Sequence, residues 1–123
     1  MIGRIDEVVL DCTDPGPLAQ FWAGVLGGTP QRRTDDWHYL DPPGWTRVAF
    51  QRVPEGKVVK NRVHLDISAA PGRPGTPEEI EAEKDRIVAL GATVVLKYDE
   101  PWGPIRELHY VMRDPEGNEF CIQ

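Results

Sequence analysis

His64 and Asp66 lie two residues apart in the stretch Asn61 to Ala70, where Val63, Leu65 and Ile67 alternate with His64, Asp66 and Ser68. Strict alternation predicts a strand with one apolar and one polar face. The same parity recurs elsewhere. Glu119 and Cys121 alternate with Phe120 and Ile122, Arg47 and Gln51 with Val48 and Phe50, and Glu7 and Asp11 with Val8 and Leu10. Imidazole, carboxylate, guanidinium and thiol groups are the ones that move protons or orient small ligands. On a face turned to water they are surface residues; on a face turned to a cavity they are a site. The alternation around His64 and Asp66 is compatible with both.

The elements that must position these residues are punctuated by turn and capping signals. Ile5 to Thr13 reads as a strand, and Asp14-Pro15 as an N-cap with proline at the first helical position. Leu18, Phe21, Trp22, Val25 and Leu26 then give a helical apolar stripe that Gly27-Gly28 ends. Thr29 to Leu40 reads as a hairpin around Thr34-Asp35-Asp36, Asp41 to Gly44 as a turn, and Trp45 to Val53 as a strand. Pro54 to Lys57 marks a linker. Thr76-Pro77-Glu78-Glu79 is a capping box that opens a second helix, with Ile80, Ile87 and Leu90 as its stripe, the stem of Lys84 beside them and Gly91 as its stop. Ala92 to Tyr98 is predicted as a strand and Asp99 to Pro104 as a loop. Leu108 to Arg113 and Glu119 to Gln123 are predicted as strands joined by the turn Asp114 to Asn118.

Strand, helix, three strands thus occurs twice. Val25-Leu26-Gly27-Gly28-Thr29 matches Ala89-Leu90-Gly91-Ala92-Thr93 at equivalent places, and Val9-Leu10-Asp11 resembles His64-Leu65-Asp66. We read this as an internal duplication, with one unit over residues 3–53, a linker over 54–60 and a second unit over 61–123.

The chain is 123 residues long with a net charge of −6, which argues against nucleic-acid or anionic-membrane partners. Residues 61–123 hold 7 basic and 12 acidic residues against 7 and 8 in 1–60, and most of the excess falls in the second helix, as a solvated face would require. No apolar run approaches the ~18 residues that span a bilayer. Arg4, Asp6 and Glu7 stand where a secretory segment would be apolar, so no export signal is expected. Two cysteines, Cys12 and Cys121, make no disulfide framework, and a cytoplasmic location is the expectation.

The duplicated βαβββ unit, the Asp14-Pro15 cap, the helix end from Phe21-Trp22 to Leu26-Gly27, Leu90-Gly91-Ala92 and the run Arg113-Asp114-Pro115-Glu116-Gly117-Asn118-Glu119-Phe120 together resemble the vicinal oxygen chelate superfamily. That superfamily includes glyoxalase I, bleomycin- and fosfomycin-resistance proteins, extradiol dioxygenases and methylmalonyl-CoA epimerase. The flavour here is that of its small glyoxalase-like members, and the resemblance covers essentially the whole chain. It implies an α+β fold in which two tandem units form a curved eight-stranded sheet cup with helices outside and a ligand inside. Glu7, Asp11, Arg47, Gln51, His64, Asp66, Glu119 and Cys121 would face that cup.

Metal-dependent members place His or Glu ligands on the first and last strands of each unit. By that resemblance the positions fall on Glu7, Gln51, His64 and Cys121, of which only His64 carries the usual residue type. A site of Glu7, His64 and Glu119 is the variant that a shifted register would give. The resemblance therefore implies a divalent metal (Ni, Zn, Mn or Fe) only weakly, with Glu7 and His64 as its ligands. Without a metal, the same two residues form an acid–base pair. Trp102 would rim the cup as a ligand wall or pack at its edge, and Arg47 would meet an anionic substrate or a neighbouring acid. His38 and His109 read as ordinary surface or sheet histidines, and Cys12 as a small core residue. The function expected is that of a homodimeric, small-molecule enzyme of the lyase or isomerase type, with Glu7 and His64 catalytic. The alternative is a non-catalytic binding protein of the bleomycin-resistance kind.

Overall fold

Eight strands and two helices follow one another as β1 (Glu7–Cys12), α1 (Pro15–Leu26), β2 (Gln31–Thr34), β3 (Trp37–Leu40), β4 (Arg47–Arg52), β5 (Asp66–Ile67), α2 (Pro77–Leu90), β6 (Thr93–Trp102), β7 (Ile105–Arg113) and β8 (Glu119–Ile122). This computed structural model describes all of residues 1–123. The chain divides into two units, Met1–Val58 and Val59–Gln123, each with a four-stranded sheet of its own. The eight strands thus make two separately hydrogen-bonded sheets. Their orders are β1-β4-β3-β2 and β5-β8-β7-β6, the same order shifted by four strands. In each, the first strand pairs parallel with the last and the others pair antiparallel. The duplication read from short residue matches is therefore a duplication of topology.

In the first unit, α1 packs on β3 and β4. Leu18, Ala19, Phe21, Trp22 and Val25 are buried on its inner face, and Phe21 and Trp22 meet edge to face at 5.5 Å. Leu40, Val48 and Phe50 are fully buried. Asp14 precedes the helix in an extended conformation without making a side-chain cap bond; its carboxylate lies 3.9 Å from Arg52 Nη2. Gly28 is required where the chain leaves α1. Its φ is +87°, and a Cβ there would stand 2.9 Å from the Asp41 carbonyl oxygen.

In the second unit, α2 packs on β7 and β8. The capping box is formed in both directions: Thr76 Oγ1 accepts from Glu79 N at 3.2 Å, and Glu79 Oε2 accepts from Thr76 N at 2.9 Å. Ile80 and Ile87 are buried, but Leu90 is 41% exposed. At about 100° per residue Leu90 has rotated roughly 60–80° away from the Ile80–Ile87 line, so it leaves the stripe. Phe120, Ile122 and Met112 complete this core.

Two strand expectations need correction. The strand expected across residues 61–70 is ordered as a ladder only at Asp66 and Ile67, and Val63 is 76% exposed rather than core. Upstream, the backbone has a different anchor: Asn61 N donates to Glu119 Oε2 at 2.9 Å, and the chain bends through Arg62 and Val63 before joining β8. The loop expected at Asp99 to Pro104 is instead the end of a long hairpin, with Pro101 opposite Arg106, Trp102 opposite Ile105, and Gly103-Pro104 as the turn. β6 lies at the sheet margin, where a strand proline is tolerated because one side of the ladder is not needed.

Candidate active site in the second unit

β5 and β8 run parallel with Asp66 opposite Cys121 and Ile67 opposite Ile122. Ile122 is buried in the core, so Asp66 and Cys121 occupy the other face of the sheet. His64 stands just before β5. Its Nε2 is 3.1 Å from Asp66 Oδ1, and the donor atoms of His64, Asp66 and Cys121 all lie within 4.8 Å of one another. They line a cavity of about 340 Å³ whose other walls include Lys60, Glu107, His109 and Glu119. The polar parity around His64 thus addresses a cavity.

Each group has a distinct electrostatic setting. Asp66 holds one nitrogen of the His64 ring and leaves Nδ1 to face other partners. Burial pushes the Cys121 thiol up, and the negative charge of Asp66 adds to it, so this sulfur stays protonated at neutral pH. Glu119 is nearly buried and already committed. Its Oε2 accepts from Asn61 N, and Oε1 lies 3.8 Å from Arg113 Nε. It ties down the chain that delivers His64.

A second histidine lines the same cavity. His109 Nδ1 is 3.2 Å from Glu107 Oε1, and its ring stacks on Tyr98 at 5.0 Å with 17° between planes. His109 had read as an ordinary sheet histidine. The available signal was parity: Glu107, His109 and Val111 alternate with Leu108, Tyr110 and Met112, which are all buried.

The first unit places its expected site residues differently. Glu7 is half-buried and opposite Arg47, whereas Gln51 is opposite Asp11. Four rungs separate Glu7 from Gln51, or about 13 Å at the rise of a strand, so these two do not share a ligand. The registers also limit the correspondence between units. Unit one pairs residue 11 with 51 and unit two pairs 66 with 121. If Cys121 corresponds to Gln51, then His64 corresponds to Val9; if His64 corresponds to Glu7, then Cys121 corresponds to Ala49.

Arg47 is an ion-pair residue. Its Nε and Nη2 donate to Asp41 Oδ1 and Oδ2 at 2.8 and 3.0 Å, and its guanidinium lies 4.1 Å from the Tyr39 ring centre. The hydrogen bond from Arg47 holds the Asp41 carboxyl below the usual carboxylate range. Arg33 approaches the same ring at 5.5 Å. Trp37 is half-buried, with an indole N–H that has no hydrogen-bond partner. Cys12 is core, and its thiol donates to the Gln51 carbonyl.

Trp102 is not brought to His64. At the tip of the β6–β7 hairpin it is 65% exposed and lines a different cavity of about 600 Å³, with Ile80, Arg73 and Arg106.

A divalent ion is chemically compatible with the His64, Asp66 and Cys121 set. Imidazole, carboxylate and thiolate together suit zinc or iron better than manganese, and Cys121 would have to give up the proton its surroundings favour. No helix is long and apolar enough to cross a membrane.

Among curated proteins nothing matches the sequence. Solved structures share its fold over almost the full chain. A glyoxalase/bleomycin resistance protein/dioxygenase family enzyme from Burkholderia phytofirmans PsJN is 21% identical, with 98% of this chain and 97% of that one covered and a TM-score of 0.72. The fosfomycin resistance protein FosX from Listeria monocytogenes, in a complex with Mn(II) and sulfate, is 15% identical, with coverages of 100% and 90% and a TM-score of 0.74. A possible glyoxalase from Bacillus cereus is 13% identical, with 99% of each chain covered and a TM-score of 0.68. The model of the glyoxalase-like domain matches residues 7–123, and with that the chain belongs to the glyoxalase-like domain family.

Proposed function

We propose that this protein is a glyoxalase-like enzyme of the lyase or isomerase type that moves a proton on a small oxygenated substrate bound against the second sheet. The observation that carries this reading is the His64–Asp66 pair at 3.1 Å in a cavity that also holds His109 and Glu107. An imidazole oriented by a carboxylate is the usual means of proton transfer near neutral pH. His64 would accept or donate the proton at Nδ1, Asp66 would orient the ring through the 3.1 Å contact, and the protonated Cys121 thiol would offer a weak hydrogen bond. Glu7, expected from the sequence to share this role, lies on β1 of the first unit and is given no part in this reading. The cavity volume suits a small metabolite rather than a polymer.

His64, Asp66 and Cys121 are the residues that would hold a divalent metal, which when bound polarises adjacent substrate oxygens. Elemental analysis after expression with nickel, zinc, manganese and iron supplied tests that assignment. A metal bound by the wild type and lost in His64→Ala and Cys121→Ser supports it. The reaction type is tested by incubating the protein with a panel of small 2-oxo and 2-hydroxy carbonyl compounds in D2O and following C–H exchange by NMR. Exchange or turnover that disappears in His64→Ala supports the enzyme reading. Stoichiometric binding without exchange or turnover favours a sequestering protein of the bleomycin-resistance kind and overturns it.

A further inference from the structure

β7 outruns one of its neighbours. β8 ends at Ile122, which lies opposite Tyr110, so Ile105 to His109 form no rung with β8. On its other side the same stretch of β7 stays paired with β6 as far as Trp102. The sheet is therefore open between the end of β8 and the start of β7. Gln123 is fixed at the corner of this opening: its N–H donates to the Ile67 carbonyl at 3.0 Å, and its carbonyl accepts from Ala69 N at 2.7 Å.

Two cavities meet there. The one of about 340 Å³ holds His64, Asp66 and His109, and the one of about 600 Å³ holds Ile80, Leu108 and Trp102. Glu107 and Gln123 line both. Leu108 is buried on the helix side, and by strand parity Glu107 and His109 point to the other face. A cavity shared between opposite faces needs a gap in the sheet, and the missing end of β8 supplies it. The larger cavity also has its charges closed. Arg73 donates twice to Glu79, at 2.8 and 2.6 Å, and Arg106 donates twice to Asp99, both at 2.6 Å. What it leaves for an occupant is apolar: Ile80 and Leu108 inside, with Trp102 and Ile105, each more than half exposed, at its mouth.

We propose that the larger cavity receives an uncharged arm of the molecule whose oxygenated head sits at His64. The substrate class is then a 2-hydroxy or 2-oxo carbonyl compound with an aryl or alkyl arm, and Trp102 is a specificity-determining residue for it. The seat of the head rests on the reading of the His64 cavity as the reacting site; the seat of the arm rests on the opening in the sheet. A volume of about 600 Å³ is within the range of small-molecule pockets and takes a phenylalkyl group. An indole at the mouth suits an aryl end, which gains by stacking or edge contact beyond its buried area. A charged end would find no unpaired guanidinium or carboxylate among the Arg73–Glu79 and Arg106–Asp99 pairs.

The test compares hydroxyacetone with homologues that carry a phenylpropyl or phenylpentyl group in place of its methyl. Affinity is read by titration calorimetry on the whole chain, and the place of binding by NMR of the His64 imidazole and the Trp102 indole. The better-fitting homologue should bind about tenfold to hundredfold tighter than hydroxyacetone, as burial of one phenyl group gives. One equivalent of it should shift the signals of both residues. Trp102→Ala should remove about tenfold of that gain and leave hydroxyacetone binding unchanged. Ile105→Glu, a second change at the mouth, should weaken the homologue in the same way. Both positions are exposed, and thermal midpoints check that the variants fold. No gain from either arm overturns the proposal. So does a gain that neither variant reduces, or a homologue that shifts Trp102 and not His64. C–H exchange followed on the same samples separates the two readings: exchange absent from a bound homologue overturns proton transfer at His64, while the arm-dependent gain still supports the arm.

Discussion

The two sheets have one topology and two kinds of open face. On the first, the arginine is closed into a pair: Arg47 is clamped by Asp41 over Tyr39. On the second, imidazoles and carboxylates face a cavity, with His64 on Asp66 and His109 on Glu107. The rung Asp11–Gln51 in one unit and Asp66–Cys121 in the other show the divergence at single positions. A duplicated frame has kept its ladder and its buried side while the open faces went separate ways. A guanidinium neutralised by a carboxylate has no titration near neutral pH to offer, whereas a histidine does.

If the buried sides are the shared part, breaking them should cost the same in both units. Phe50→Ala and Phe120→Ala each empty a fully buried position on equivalent strands and should each destabilise by about 3–5 kcal/mol. Chemical denaturation measures both; a cost below about 1 kcal/mol in one of them would break the symmetry of the cores.

The approach to each first strand differs in strength. Before β1, the Thr46 hydroxyl donates to the Asp6 carbonyl at 2.8 Å in an exposed setting. Before β5, nearly buried Glu119 accepts from Asn61 N. Glu119→Ala leaves that amide without its partner and should cost about 1–3 kcal/mol, while Thr46→Val should cost roughly 1 kcal/mol or less. Glu119→Ala should also loosen His64, seen as faster amide exchange at residues 61–66.

The helices differ in their response to acid. α1 has no acidic residue in its first turn, whereas α2 has Glu79 there and Glu81 beyond it, both lowered to about 2. The Arg73 hydrogen bond is the main cause for Glu79, and the Lys97 hydrogen bond for Glu81. Their folded-state values lie below the ordinary 4.5, so the stability they contribute is complete above about 4.5 and is lost as pH falls toward 2. Thermal midpoints between pH 5 and 2 should fall less steeply in Glu79→Gln and Glu81→Gln than in the wild type; equal slopes would contradict the assignment. Both carboxylates are part-exposed, and solvent screens their ion pairs, so this is the smallest of the effects.

Much of this was legible in the sequence. Helix ends at Gly27 and Gly91, the capping box, the eight strands and the duplication follow from periodicity and local signals, because those are set by residues close in the chain. What was missed depends on partners far away in sequence. The exposure of Val63 follows from Glu119 holding Asn61, fifty-eight positions earlier in the chain. Trp102 read as loop because Pro101 and Gly103 are turn residues, yet pairing with Ile105 keeps it in the hairpin. Glu7 and Gln51 looked like one ligand set until the ladder put four rungs between them. A lone histidine at position 109 gives no sign in the sequence that Glu107 and Tyr98 are its partners.

The central claim is that chemistry belongs to the second sheet, and it is tested most directly by one comparison of rates. With a substrate found by C–H exchange, turnover is measured for the wild type, His64→Ala and Asp11→Ala, each shown to be folded by its thermal midpoint. The account predicts a loss of about 10²–10⁴-fold in His64→Ala and nearly unchanged turnover in Asp11→Ala. Turnover retained in His64→Ala, or lost in Asp11→Ala instead, would contradict it.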